Sequence, residues 1–145
     1  MRFLLLGILV ILFSACLDEP DCIVTSSSQV KISLRKILVD SAREVEFTNI
    51  LVSGTDTVFY ENDSVTTVVL PVNPNANETM FRFFYESKVD TLILSYTRQT
   101  RVISPGCGAF NYFQELDIVF SSFPKATVVN SQLSTSTAAN VTIEL

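Results

Sequence analysis

The sequence contains no histidine and no tryptophan, and only four glycines in 145 residues. Without histidine there is no Ser-His-Asp or Cys-His nucleophile pair and none of the usual zinc constellations. So few glycines supply neither a phosphate-cradling P-loop nor a dinucleotide fingerprint, and no Asp-x-Asp-x-Asp-Gly calcium loop occurs. Ten basic residues against fifteen acidic ones leave a net charge of −5. The basic residues are scattered, so no positive stripe of the kind that nucleic-acid phosphates require is present. No cofactor, no metal and no nucleic-acid partner is expected. The missing tryptophan disfavours a flat sugar-stacking platform. It leaves Tyr60, Phe84, Tyr85, Tyr112 and Phe113 as the rings a surface could expose. Most belong in a core, and a patch of them left outside would mark a partner-binding surface.

What the chain has in abundance is an apolar run at its start. Arg2 precedes an unbroken apolar stretch over residues 3–13, followed by the small residues Ser14 and Ala15 and then Cys16. A transmembrane helix needs about 20 apolar residues, and here the apolar character stops at Leu17, before Asp18, Glu19, Pro20 and Asp21. The stretch reads as a cleaved export signal over residues 1–15. Its ending Leu12-Phe13-Ser14-Ala15-Cys16 resembles the bacterial lipobox, whose Cys becomes a lipidated N-terminus. Phe13 departs from the Leu preferred at that position. The resemblance implies lipidation of Cys16 by several acyl chains, which hold a protein on a membrane where a single chain would not. Asp18-Glu19 also resembles the acidic surface-export signal of Bacteroidota lipoproteins. An outer-membrane lipoprotein is expected, on the periplasmic face or the cell surface, with the membrane as partner through the lipid.

Residues 16–28, acidic and then Ser-rich, read as the lipidated Cys and a flexible tether, and residues 29–145 as a single domain. From Gln29 the pattern turns to period two, with Val30, Ile32 and Leu34 alternating with Lys31, Ser33 and Arg35. Further runs rich in Val, Ile, Phe and Thr cover residues 45–52, 57–60, 65–72, 80–86, 91–98, 110–120, 126–133 and 141–145, with turn residues between them. The pattern predicts an all-β fold, an antiparallel β-sandwich of the immunoglobulin-like or a related type, with about eight to nine strands. In the hairpin over residues 80–98, Phe81, Phe83 and Tyr85 share one face, as do Leu92, Leu94 and Tyr96, and both rows are expected in the core.

If Cys16 carries lipid, Cys22 and Cys107 remain as a pair in an exported, oxidising compartment and are predicted to form a disulfide. Cys22 lies six residues after Cys16, about 20 Å of extended chain at roughly 3.3–3.6 Å per residue. The bond would tie the start of the domain to the turn at Ser104-Pro105-Gly106-Cys107-Gly108. A pull on the anchor would then load an internal strand, and loss of the bond would fray residues 29–34. Cys22, the Tyr-containing strand over residues 92–96, the Ser-x-x-Cys-Gly step at residues 104–108 and the aromatic strand behind it resemble a family of small uncharacterised Bacteroidota lipoproteins. The resemblance implies no established activity.

Two weaker patterns complete the reading. Glu44 with Glu46, and Glu115 with Asp117, lie two apart and would share a strand face, a spacing a carboxylate hydrolase could use. Ser41, Thr57, Ser64 and Thr91 each follow an Asp and precede an aliphatic residue, which resembles the periplasmic O-glycosylation sequon of the Bacteroidota. A turn Asp followed by β-formers yields the same tripeptide. Asn62, Asn77 and Asn140 fit the N-glycosylation pattern. The expected function is a non-enzymatic cell-envelope lipoprotein, a lipid-tethered β-sandwich that displays or binds a protein or glycan partner. The alternative is a carboxylate-based hydrolase acting on envelope polysaccharide.

Overall fold

The computed structural model describes residues 22 and 25–145; Cys16 and the stretch expected to be an export signal lie outside the described residues. Among the described residues, alternation of apolar and polar side chains builds twelve strands and no helix. In chain order they are β1 (Gln29–Lys36), β2 (Val39–Ala42), β3 (Val45–Phe47), β4 (Asn49–Val52), β5 (Val58–Phe59) and β6 (Asp63–Val65), then β7 (Thr67–Pro71), β8 (Glu78–Tyr85), β9 (Lys88–Ser104), β10 (Gly108–Ser121), β11 (Lys125–Val128) and β12 (Val141–Glu144). One five-stranded sheet runs β11-β12-β1-β2, with β7 also paired to β1, and a second runs β10-β9-β8-β4-β5. The pair β3-β6 forms a small third sheet. The fold is the expected all-β sandwich.

More strands form than the runs suggested, because apolar parity slips where the chain changes sheets. Val45 and Phe47 are buried at odd positions, Thr48 is exposed, and Ile50 and Val52 are buried at even ones. A strand turns alternate residues to opposite faces, so one continuous strand cannot bury both sets. The run over residues 45–52 therefore breaks into β3, paired with β6, and β4, paired with β5 and β8. The run over residues 65–72 breaks the same way at exposed Thr66, whose carbonyl accepts from the Leu34 amide at 2.9 Å. The sandwich is also not antiparallel throughout, since β12 lies parallel to β1, with Ile32 opposite Val141 and Leu34 opposite Ile143.

The hairpin of β8 and β9 places Phe81, Phe83, Tyr85, Leu92, Leu94 and Tyr96 in one buried cluster with Val30, Ile32 and Leu34 of β1. Phe47 packs edge-on against Tyr85 at 5.5 Å, and Phe83 against Phe123 at 5.3 Å. Offset and edge-to-face pairs of this kind add roughly 0.5–1.5 kcal/mol beyond area burial. Glu86 and Ser87 turn the hairpin with φ of 45° and 60°, a primed two-residue turn whose twist suits the flanking strands.

Two segments read from composition behave differently. Residues 25–28, expected as tether, are paired: the Thr135 amide donates to the Thr25 carbonyl at 3.0 Å and the Val72 amide to the Ser28 carbonyl at 2.8 Å. Ser-rich composition describes side chains, whereas pairing uses the backbone. The run expected over residues 126–133 ends as a strand at Val128, and its continuation is held by Asn140. That side chain is 3% exposed. Its Oδ1 accepts from the Lys31 amide at 3.0 Å, and its Nδ2 donates to the carbonyls of Asn130 at 3.2 Å and Gln132 at 2.8 Å. An asparagine so enclosed is closed to glycosylation in the folded chain. Asn140→Ala leaves the part-buried Lys31 amide and the Asn130 and Gln132 carbonyls without their side-chain partner. It is expected to cost about 2 kcal/mol, since a buried group left unmade costs ~1–3 kcal/mol and Gln132 is open to water. Urea denaturation measures this, and a loss under about 1 kcal/mol would show that Asn140 does not hold the loop.

Candidate functional site

β9 and β10 are longer than the sheet they belong to. β8 accompanies β9 only from Lys88 to Ser95, after which the Tyr96 amide donates to the Asn77 carbonyl at 2.9 Å. Beyond that point β9 is paired with β10 alone, and every residue from Thr97 to Ile103 is exposed. This two-stranded arm was underestimated from sequence, where the strand was expected to stop at Arg98. With residues 97–103 of β9 wet on both faces, that strand shows no alternation to read; cross-strand partners hold it instead. Thr100 Oγ1 donates to Asn111 Oδ1 at 2.7 Å, and the Arg101 guanidinium lies 5.0 Å from the Tyr112 ring while donating to Gln99 Oε1.

The predicted disulfide is present at the tip of this arm. Cys22 and Cys107 are bonded with a Cα separation of 5.6 Å, well inside the range such a bond needs. Ser104 Oγ accepts from the Cys107 amide at 3.1 Å and shapes the turn. The mechanical expectation needs correction, because β10 is an edge strand of its sheet and Cys107 sits in a turn. A pull through Cys22 loads the hairpin tip, not an internal strand. β1 is flanked by β7 and β12, so loss of the bond should fray residues 25–28 rather than 29–34.

The outward face of the second sheet carries a row of apolar side chains across β10, β9 and β8, formed by Phe120, Ile93 and Met80, whose Cα atoms are register partners. Val89 and Phe120 are each 50% exposed. Arg82 interrupts the face and lies 5.9 Å from the Phe84 ring. Beside it a cavity of about 350 Å³ is lined by Leu51, Met80, Arg82, Asp56 and the turn at Gly54. Of the rings considered for exposure, Tyr85 and Phe113 are buried, whereas Tyr60, Phe84 and Tyr112 are half-buried.

Two polar networks, not apparent from sequence, close the ends of the core. Tyr85 donates to Asp90 Oδ2 at 2.5 Å, Ser122 Oγ donates to Asp90 Oδ1 at 2.6 Å, and the Thr91 amide donates to Ser122 Oγ at 2.8 Å. At the other end the Tyr96 hydroxyl donates to the Asn73 carbonyl and lies 2.7 Å from the buried Thr79 hydroxyl. Their only sequence signal was a Tyr in a core row, whose hydroxyl requires a partner once buried. Burial pushes both phenols upward, and at Tyr85 the bond to Asp90 adds to that effect.

Glu44, Glu46, Glu115 and Asp117 are all exposed. Glu115 accepts from Thr97 Oγ1 at 2.6 Å, and Asp117 accepts from the Ile118 amide at 2.8 Å. Neither pair lines a shared cavity among those described. Thr57 and Ser64 are exposed, whereas Ser41 and Thr91 are half-buried. The Asp of the last tripeptide, Asp90, is the acceptor of the Tyr85 network. Among the described residues, no three Cys, Asp or Glu side chains gather as metal ligands.

Two outcomes follow from this geometry. The disulfide closes a separation of 85 residues, for which loop entropy alone gives about 4–5 kcal/mol. Cys107→Ser is expected to speed amide exchange at Ser27 and Thr135 by about tenfold or more while β1 keeps its protection. Hydrogen exchange reads each site, and unchanged Ser27 and Thr135 would show that the bond does not hold this segment. The raised phenols favour the protonated native state. Their stabilisation is complete below the ordinary tyrosine value of about 10 and declines as pH rises above it. Tyr85→Phe should therefore flatten the fall in urea midpoint between about pH 9 and about pH 11. A parental slope kept in the variant would assign the decline elsewhere.

Neither a curated protein nor a solved structure matches the chain. A family profile matches residues 46–144, a stretch that contains Cys107 and runs from β3 to β12 but leaves out β1 and Cys22. By that match, which covers most of the sandwich, the chain belongs to the family of unknown function DUF6452.

Proposed function

We propose that this protein is a non-enzymatic cell-envelope lipoprotein of the Bacteroidota, a β-sandwich held on the outer membrane by lipid at Cys16 that binds a protein or glycan partner. One observation carries the reading: of three cysteines, two are joined in the domain, and the third stands where a short apolar run ends in Ser14-Ala15. A disulfide belongs to an oxidising compartment, and a Cys after two small residues at the end of an export signal is the acceptor for lipid. The binding role draws support from the exposed apolar row of the second sheet and from the half-buried rings of Phe84 and Tyr112, which have the character of a partner surface. The four carboxylates considered for hydrolysis face solvent, so the geometry favours binding over glycan hydrolysis. Exposed Thr57 and Ser64 are the more accessible of the four candidate O-glycan acceptors.

The experiment is membrane partition combined with intact mass. Parental protein should enter the detergent phase with the mass of a lipidated Cys16 chain, plus hexose increments if the O-glycan acceptors are used. Cys16→Ser should leave the detergent phase. A mutant that stays there would overturn the anchor.

A further inference from the structure

We propose that the free edge of the β9 arm, residues 98–102, is a strand-addition site for an extended acidic peptide segment of a partner protein. The inference rests on the binding-module reading above and names the partner's chemistry. In a strand, successive backbone groups point to opposite sides. The Tyr96 amide points toward the β8 side, where it donates to Asn77, so Arg98, Thr100 and Val102 direct their N–H and C=O groups the same way. β8 has ended by then, and among the described residues no backbone partner meets those three. The other edge of β9 is fully used, with Thr100 opposite Asn111 and Arg101 opposite Phe110.

Exposed edges of this kind are ordinarily blunted by proline, a bulge or a covering loop, because they template further pairing. Residues 98–102 contain no proline, and the ladder to β10 is regular from Arg98 to Val102; the loop before β8 reaches the edge at Arg98, whose guanidinium donates to the Pro74 carbonyl and would share that group with an incoming carboxylate. Val102 stands 74% exposed. The charge on the arm decides the occupant. From Arg98 to Gln114 the only charged residues are Arg98 and Arg101, in a chain whose net charge is −5. A second copy would set two cationic ribbons side by side, whereas an acidic strand would complement them. In an antiparallel register the incoming strand places an aliphatic residue opposite Val102 and carboxylates opposite Arg101 and Arg98, one on each face. Main-chain bonds supply affinity in this mode and the alternating side chains supply selectivity. Anionic lipid headgroups would engage the arginines but leave the ordered row of amides unused.

The test uses the oxidised chain from residue 16 carrying Cys16→Ser, labelled with nitrogen-15. The probe is a synthetic Val/Thr peptide bearing two Asp residues in that register, with its Asp→Lys twin as control. The amides of Arg98, Thr100 and Val102 are expected to shift and gain exchange protection with the Asp peptide alone. Thr100→Pro removes an outward N–H without touching the ladder to β10, and should weaken binding by about tenfold or more. Should that variant lose its fold, R98E/R101E carries the test, since charge reversal should transfer binding to the Lys peptide. Silence of these amides toward the Asp peptide, equal binding of both peptides, or self-association through the same amides would overturn the proposal. So would binding to phosphatidylglycerol vesicles that Thr100→Pro leaves intact in the absence of peptide binding. Capture of envelope proteins by the tagged parent separates the two readings. If Thr100→Pro captures the same proteins as the parent, the binding module stands and the edge is not its site; if the parent captures none, the binding reading itself fails.

Discussion

The inward rows of β8 and β9 are the constraint on which the rest of the structure depends. Phe81, Phe83 and Tyr85 on one strand and Leu92, Leu94 and Tyr96 on the other are essentially closed to solvent. Each large ring buries roughly 150–250 Å² of surface, and the first sheet covers them with Val30, Ile32, Leu34, Val68 and Leu70. Both tyrosines carry a hydroxyl into that layer, so the core can close only where partners are provided. Asp90 and Ser122 serve one end, and Thr79 with the Asn73 carbonyl serves the other. The polar networks are thus a consequence of placing Tyr rather than Phe at the margins of the core.

The second organising feature is the treatment of chain that has no core to join. Residues 25–28 and the loop from Val129 to Asn140 bury few large apolar groups, apart from Leu133, which is 3% exposed. They are held by backbone bonds to one another, by Asn140, and by the disulfide at the far end of the arm. A covalent bond there restrains a region whose hydrophobic contribution is small, the same logic by which small exported domains use disulfides. The family match begins inside the sandwich at Glu46, so the clamp joins its Cys107 to a segment upstream of the matched stretch.

Function on this scaffold reads as surface chemistry more than as a pocket. The acidic residues with enzymatic spacing sit in solvent, the rings of Phe81, Phe83 and Tyr85 are committed to the core, and the cationic arm keeps one backbone edge open beyond β8. A surface of this kind suits extended partners that add main-chain bonds to an open edge, which is what the proposed binding role requires.

Much of the fold was legible in the amino-acid order because half-buried strands must alternate. Val30, Ile32 and Leu34, the two rows of the β8–β9 hairpin, and the disulfide pair all follow from local pattern and cysteine count. Even the break at Thr48 was encoded in the slip from odd to even apolar positions. The long arm was not legible, since Thr97 to Ile103 is exposed on both sides and its strand character comes only from β10. Nor was the pairing of residues 25–28, the parallel partnership of β1 with β12, or the role of Asn140. The two pairings depend on backbone groups far apart in sequence, as the Asn140 amide and the Lys31 carbonyl are, and backbone groups are the same in every residue; the role of Asn140 depends on which carbonyls the fold brings to its side chain. Local side-chain pattern determined which faces are buried; only the tertiary structure decided which edges are paired and which are left open.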